Sequence, residues 1–202
     1  MDSATIRFFV SDLDGTLLGD DEALAQFRQI WASEPVEERP LLCYNTGRLL
    51  DDVLHLVSSG LLPQPDYIIS GVGTSVYDMA TGELLKQFTE ILEEGWNLET
   101  VEQFLNQIDL PLQKQPHHFQ NAYKSSWYFD DATPEQLERI QAGLEELGLE
   151  HHLVYSSSRH LDILPKWANK GNALRWLLSH LHIPTSEVLV AGDRAMTVLC
   201  FS

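Results

Sequence analysis

Short β-rich runs that each stop at a polar cluster, separated by helical stretches, constrain this chain more than any other feature. The first run, Ile6 to Val10, ends in Ser11-Asp12-Leu13-Asp14-Gly15-Thr16. A helix is predicted over about Asp21 to Ala32, with Leu24, Phe27, Ile30 and Trp31 on one face. Pro40 opens a second run, Leu41 to Tyr44, which stops at Asn45-Thr46-Gly47-Arg48. A second helix, about Leu49 to Val57, leads to a third run, Tyr67 to Ser70, closed by Gly71-Val72-Gly73. Strand, helix, strand, helix, strand is the order of a parallel sheet, whose neighbouring strands need a long crossover between them.

The middle of the chain breaks that alternation. Val76-Tyr77 and Leu84-Leu85 flank a Thr81-Gly82 turn and read as a hairpin. Ile91 to Ile108 is amphipathic and acidic, a helical pattern whose Trp96, Phe104 and Leu105 belong to a core. Ser125 to Phe129 reads as extended, and Pro134 to Leu147 as a helix with Thr133 as its cap. Glu150 to Tyr155 and His160 to Leu164 read as paired strands around Ser156-Ser157-Ser158. A helix from Gly171 to His180 and a strand from Val188 to Ala191 then restore the first pattern. The expected architecture is α/β: a Rossmann-like parallel core of residues 1–79 and 163–202, with an inserted α+β cap at 80–162 over its carboxyl edge.

Charge narrows the function classes. Lys and Arg number 13 against 30 Asp and Glu, a net charge of −17, while 44% of residues are hydrophobic. That is a globular composition, not a disordered acidic tail. It argues against nucleic acid, which needs clustered Lys and Arg, and against an anionic membrane surface. No apolar run approaches a bilayer span, and residues 1–10 lack the order of a signal peptide. With only Cys43 and Cys200, no disulfide framework is implied, and Cys43 in an apolar strand reads as inert. The expectation is a soluble, cytoplasmic protein.

The polar clusters carry the chemistry. Open parallel sheets place ligands at the carboxyl ends of their strands. Asp12 and Asp14 leave such a strand into a Gly-containing turn that can aim both carboxylates at one point. Two carboxylates alone would repel a phosphate, so a hard dication such as Mg²⁺ is expected between them, with Asp193 as a further ligand. Thr46 and Lys170 would hold the remaining phosphate oxygens. Each cluster has a structural alternative: an Asx-capped turn at Asp12 and Asp14, a helix cap at Thr46, a solvated lysine at Lys170. The pairs His117-His118 and His151-His152 point apart on a strand and read as exposed or packed histidines rather than metal ligands.

The set Asp12-Leu13-Asp14-Gly15-Thr16, Thr46-Gly47-Arg48, Lys170-Gly171-Asn172-Ala173 and Gly192-Asp193 resembles the haloacid-dehalogenase-like phosphohydrolases. The long insert is similar to the large cap of the Cof-like branch. Leu18-Gly19-Asp20, Gln120-Asn121-Ala122-Tyr123-Lys124 and Ser157-Ser158-Arg159-His160-Leu161-Asp162-Ile163-Leu164-Pro165 resemble the sucrose-phosphatases within it. The resemblance implies Asp12 as nucleophile, Asp14 as general acid and then base, and Thr46 and Lys170 as phosphate-binding groups. It implies Mg²⁺ on Asp12, Asp14 and Asp193, and substrate contacts from Gly47, Arg48, Asn121, Lys124 and Asp162. The implied activity is hydrolysis of sucrose 6-phosphate, with sucrose-phosphate synthase as a partner. Mannosylglycerate phosphate or a small hexose phosphate is the alternative substrate, and a non-catalytic sugar-phosphate-binding module the alternative role. The chain departs from the family at its last motif, where Gly-Asp-Ser-Gly-Asn-Asp is replaced by Gly192-Asp193-Arg194-Ala195-Met196-Thr197. Deleting one T from GAT TCG GGC AAT GAC yields GAT CGG GCA ATG AC, or Asp-Arg-Ala-Met-Thr. A frameshift, leaving an inactive truncated product, is therefore the expected cause.

Overall fold

The computed structural model describes residues 5–192. In chain order these form β1 (Phe8–Ser11), α1 (Asp21–Ser33), β2 (Leu41–Asn45), α2 (Leu50–Ser58), β3 (Tyr67–Ser70), β4 (Ser75–Asp78) and β5 (Glu83–Leu84). There follow α3 (Lys86–Glu93), α4 (Leu98–Gln107), β6 (Gln113–Lys114), β7 (Ser125–Tyr128), α5 (Pro134–Glu146), β8 (His151–Ser156), β9 (His160–Pro165), α6 (Lys170–His180) and β10 (Val188–Ala191). The chain divides into two compact units, one up to Phe88 and from Asn169 onward, the other Thr89–Ala168.

The first unit is α/β. Its sheet runs β10-β1-β2-β3-β4-β5. β1 pairs in parallel on both sides, Val10 opposite Val190 and Cys43, so its backbone is satisfied along its length. β2 and β3 continue in parallel, and the β4–β5 hairpin extends the sheet antiparallel. A strand with neighbours on both sides and helices over the sheet reads as a continuous apolar run, and Phe8 and Val10 are fully buried. Under α1 and α2 the core is Leu13, Leu24, Leu42, Tyr44, Val53, Leu62 and Ile68. Burial pushes the Tyr44 phenol far above its usual pKa, and its hydroxyl donates to the Pro63 carbonyl at 2.8 Å. The predicted apolar face of α1 holds for Leu24, Phe27 and Trp31, but Ile30 is 62% exposed. Phe27 and Trp31 meet Phe9 through tilted ring contacts, and at about 100° per residue Ile30 is turned away from the stripe that Leu24, Phe27 and Trp31 share.

The second unit is a four-stranded antiparallel sheet, β6-β7-β9-β8, with α4 and α5 packed on it. Val101, Leu105, Trp127, Phe129, Ile140, Leu144, Leu161 and Ile163 form its core, with Trp96 and Phe104 against them. Thr133 caps α5 through a capping box with Gln136. The single helix predicted over Ile91 to Ile108 is two. Gly95 turns left-handed at φ 66° between α3 and α4, and a Cβ there would lie 2.5 Å from the Glu150 side chain. His117 and His118 lie in a 3₁₀ turn, not on a strand. Among the described residues, no helix is long and apolar enough to cross a membrane.

Candidate active site

Asp12 is the first residue beyond β1, and its N–H donates to Ala191 O at 2.9 Å, which continues the parallel ladder past the strand. Its carboxylate is nearly buried, the side chain 9% exposed. Oδ1 accepts from Leu13 N–H at 2.7 Å and Oδ2 accepts from Lys170 Nζ at 2.6 Å. The following turn closes where Leu18 N–H reaches Leu13 O at 2.8 Å, with Gly15 left-handed at φ 74°. That closure buries Leu13 and turns Asp14 outward. Asp20, which follows this turn, caps α1 by accepting from Glu22 N–H and Ala23 N–H.

Asp14 meets a cation of its own. Arg48 Nη2 donates to its Oδ1 at 2.6 Å and Nε to its Oδ2 at 2.9 Å, a forked pair. These bonds push the Arg48 guanidinium further above its ordinary value, so it stays charged at any working pH. Thr46 sits one residue past β2, fully buried, and its Oγ1 accepts from Arg48 N–H at 3.1 Å. Gly47, between them, is exposed. Lys170 opens α6, whose cap is Asn169, with Oδ1 accepting from Asn172 N–H at 2.8 Å. The helix start and the lysine thus add positive charge on one side of Asp12.

The structure therefore brings Asp12 to Lys170, Asp14 to Arg48, and Thr46 to the Arg48 main chain. Asn121, Lys124 and Asp162, in the second unit, form a separate cluster. Lys124 Nζ lies 3.4 Å from Asp162 Oδ2, whose Oδ1 accepts from Ser126 Oγ at 2.5 Å. Asn121 and Lys124 exchange main-chain hydrogen bonds of 3.2 Å, and Asn121 Oδ1 accepts from Tyr123 N–H. Lys124, 9% exposed, is committed to a carboxylate. A groove of about 670 Å³ walled by Arg28, Trp31, Arg39 and Pro63 contains none of the site residues expected from the sequence. Asp193 lies outside the described residues.

A family profile described as sucrose-6F-phosphate phosphohydrolase matches residues 6–196. The chain belongs to that family. Its members are phosphoric monoester hydrolases, and the chain carries their haloacid-dehalogenase-like fold. The mannosylfructose-phosphate phosphatase of Agrobacterium fabrum is 42% identical over 188 residues, covering 93% of this chain and 75% of that protein. Sucrose-phosphatase 1 of Nicotiana tabacum is 30% identical over 210 residues, which is 99% of this chain and 48% of the tobacco enzyme. The structure of the sucrose-phosphatase from Synechocystis sp. PCC6803, in complex with sucrose and phosphate, superposes with a TM-score of 0.84 at 29% identity. It covers 98% of this chain and 79% of that one.

For a sucrose-phosphatase family member, the donor set at Asp12 suits Mg²⁺. Each Asp12 carboxylate oxygen accepts one hydrogen bond, from Leu13 N–H or from Lys170 Nζ, and has lone-pair capacity left for a cation. Among the described residues, no three His, Cys, Asp or Glu side chains gather as a metal cage. Mg²⁺ needs none, since it is commonly held by one or two carboxylates, water and substrate oxygens.

From the sequence, Gly71-Val72-Gly73 reads only as the end of a strand, with no part in the site. Its residues are left-handed at φ 59°, 63° and 83°, and its first two N–H groups donate to Arg48 O and Thr46 O at 2.7 and 3.2 Å. The turn thus braces the Thr46–Arg48 loop. The available signal was a β-branched residue between two glycines at a strand end, a residue type that is a genuine outlier at positive φ.

Proposed function

We propose that this chain is a Mg²⁺-dependent sugar-phosphate phosphatase whose substrate is the phosphate monoester of a fructose-containing disaccharide, sucrose 6-phosphate in the first instance. The observation that carries the reading is the nearly buried Asp12 carboxylate held at 2.6 Å by Lys170 at the carboxyl end of β1. Asp12 is oriented by Leu13 N–H and Lys170, so one oxygen can attack phosphorus in line with the departing sugar oxygen. The new P–O bond makes an aspartyl-phosphate as the sugar P–O bond breaks. Asp14, protonated once Arg48 turns from it to the phosphate, gives the leaving oxygen that proton, then takes one back from the water that attacks phosphorus and releases inorganic phosphate and free Asp12. Arg48, bound to Asp14 in the free protein, is within reach of the same phosphate, and Thr46 and Lys170 serve its remaining oxygens. Bound Mg²⁺ would supply neutralising charge to the phosphate oxygens through Asp12, the Asp14 carbonyl and Asp193. Asn121, Lys124 and Asp162 are the sugar-reading groups in this proposal, a polar set suited to hydroxyls.

The 42% identity to a mannosylfructose-phosphate phosphatase favours a second substrate of the same class, mannosylfructose phosphate. The reading also carries a cytoplasmic location and a glycosyltransferase of the sucrose-phosphate synthase type as partner. The test is phosphate release from sucrose 6-phosphate, mannosylfructose phosphate and glucose 6-phosphate, with Mg²⁺ and with EDTA, by the 202-residue chain and by a chain with the reading frame after Asp193 restored. A fructosyl disaccharide phosphate is expected to be preferred, Mg²⁺ to be required, and Asp12→Asn to abolish release. Equal kcat/KM for glucose 6-phosphate would sink the substrate class, and undiminished turnover by Asp12→Asn would sink the aspartyl-phosphate route.

A further inference from the structure

We infer that Asn45 is a positioning residue for Lys170, tying the main chain at the start of α6 so that the ammonium meets Asp12; this rests on the phosphatase reading above. Asn45 is the last residue of β2 and adjoins Thr46. It is fully buried, and its Nδ2 donates to the Lys170 carbonyl at 3.0 Å across 125 positions of sequence. The amide orientation follows from chemistry, because a carbonyl can only accept. Its own Oδ1 is buried without a hydrogen-bond partner among the described residues.

That unpartnered oxygen is informative. A buried acceptor left unsatisfied is costly, and an apolar side chain at the end of a parallel strand would avoid the cost. The benefit that accounts for an amide here is the bond to Lys170. The Lys170 carbonyl has two lone pairs, so it accepts from Asn45 without surrendering its place in the helix. A second contact fixes the same point from another direction. A Cβ on Gly73 would lie 2.3 Å from Asn169 O and 3.0 Å from Lys170 N, so the left-handed turn presses directly on the helix start. Lysine is a compact charge on a flexible stem. Where its backbone is pinned decides where its charge is found, and a displacement of about 1 Å can cost about 10²-fold in rate. Asn45 thus links the strand that presents Thr46 to the helix that presents Lys170.

The test reads the lysine itself, in the full chain. Asn45→Ala and Asn45→Leu both remove the donor, the second while nearly keeping the size. Brief acetic anhydride labelling with peptide mass spectrometry gives the acetylation rate of Lys170, with exposed Lys114 and Lys166 as internal references. Iodoacetamide labelling of Cys43, fully buried two residues away, reports general opening of the core. Both variants are expected to raise the Lys170 rate about fivefold or more relative to the references, the scale of losing one hydrogen bond, with Cys43 still protected. An unchanged Lys170 rate, or a rise matched by Cys43, would overturn the positioning role. Lys170→Ala in the phosphate-release assay tests the underlying reading separately. If that variant keeps full activity, the role given to Lys170 fails, while the labelling result still decides whether Asn45 positions it.

Discussion

Two ion pairs stand at the carboxyl edge of the sheet, and burial separates their energetics. Lys170 and Asp12 have side chains only 16% and 9% exposed, whereas Arg48 and Asp14 are 36% and 57% exposed. Breaking a buried pair from one side leaves a charge without its partner, commonly at about 3–5 kcal/mol, while an exposed pair contributes about 0–1 kcal/mol. Leu13 N–H still supports Asp12 when the lysine is lost, so the low end applies. Lys170→Ala is expected to destabilise by about 3 kcal/mol, and Arg48→Ala by no more than about 1 kcal/mol. Adding Asp12→Asn to Lys170→Ala should recover about 2 kcal/mol, because the orphaned charge is then gone. Urea midpoints of the three variants and the parent check this. A double variant as unstable as Lys170→Ala would show that the carboxylate is not the source of the cost.

At the scale of elements, α4 and α5 meet at a contact with an unusual sign. Gly143 lies inside α5, where Gly→Ala ordinarily gains about 1 kcal/mol of helix propensity. A Cβ there would lie 2.3 Å from Phe104 Cζ, and Phe104 packs against the core of its unit. Overpacking costs about 1–3 kcal/mol, so Gly143→Ala is expected to be destabilising by about 1 kcal/mol and to be relieved by Phe104→Leu. Thermal unfolding of both variants decides it, and a stabilised Gly143→Ala would mean that the ring moves freely. The same contact shows which parts of the fold the sequence announces. β10 and the four residues of β3 follow from apolar runs bounded by turn formers, and α6 from its periodicity, because those signals are local. The break at Gly95 is hidden by the amphipathic period that runs through it, and the Glu150 contact that closes this left-handed position to a side chain is distant in sequence. The site divides in the same way. Asp12, Asp14, Thr46 and Lys170 stand out as polar groups at strand and helix ends. Asn45 and the Gly71–Gly73 turn act by approaching Asn169 and Lys170, and no local pattern records that approach.

For the whole molecule, the question is how a protein with a net charge of −17 admits a phosphate dianion. The two cations best placed to attract it at the sheet edge, Lys170 and Arg48, are each already neutralised by an aspartate. From a distance, the few charges of the site, a bound Mg²⁺ included, are outweighed by the net −17, and an approaching phosphate meets the field of the acidic body. The range of that field is set by salt: the Debye length is about 30 Å at 0.01 M and about 8 Å at 0.15 M. Within the site, contacts are a few ångströms long and partly shielded from solvent, so salt weakens them less than it weakens the long-range repulsion. Raising NaCl from about 0.01 to 0.15 M at fixed Mg²⁺ should then lower KM for the sugar phosphate about two- to fivefold, with kcat nearly constant. Circular dichroism at each salt concentration separates this from a change in folding. A KM that climbs with salt over the same range would show that the local cations, and not the net charge, govern capture.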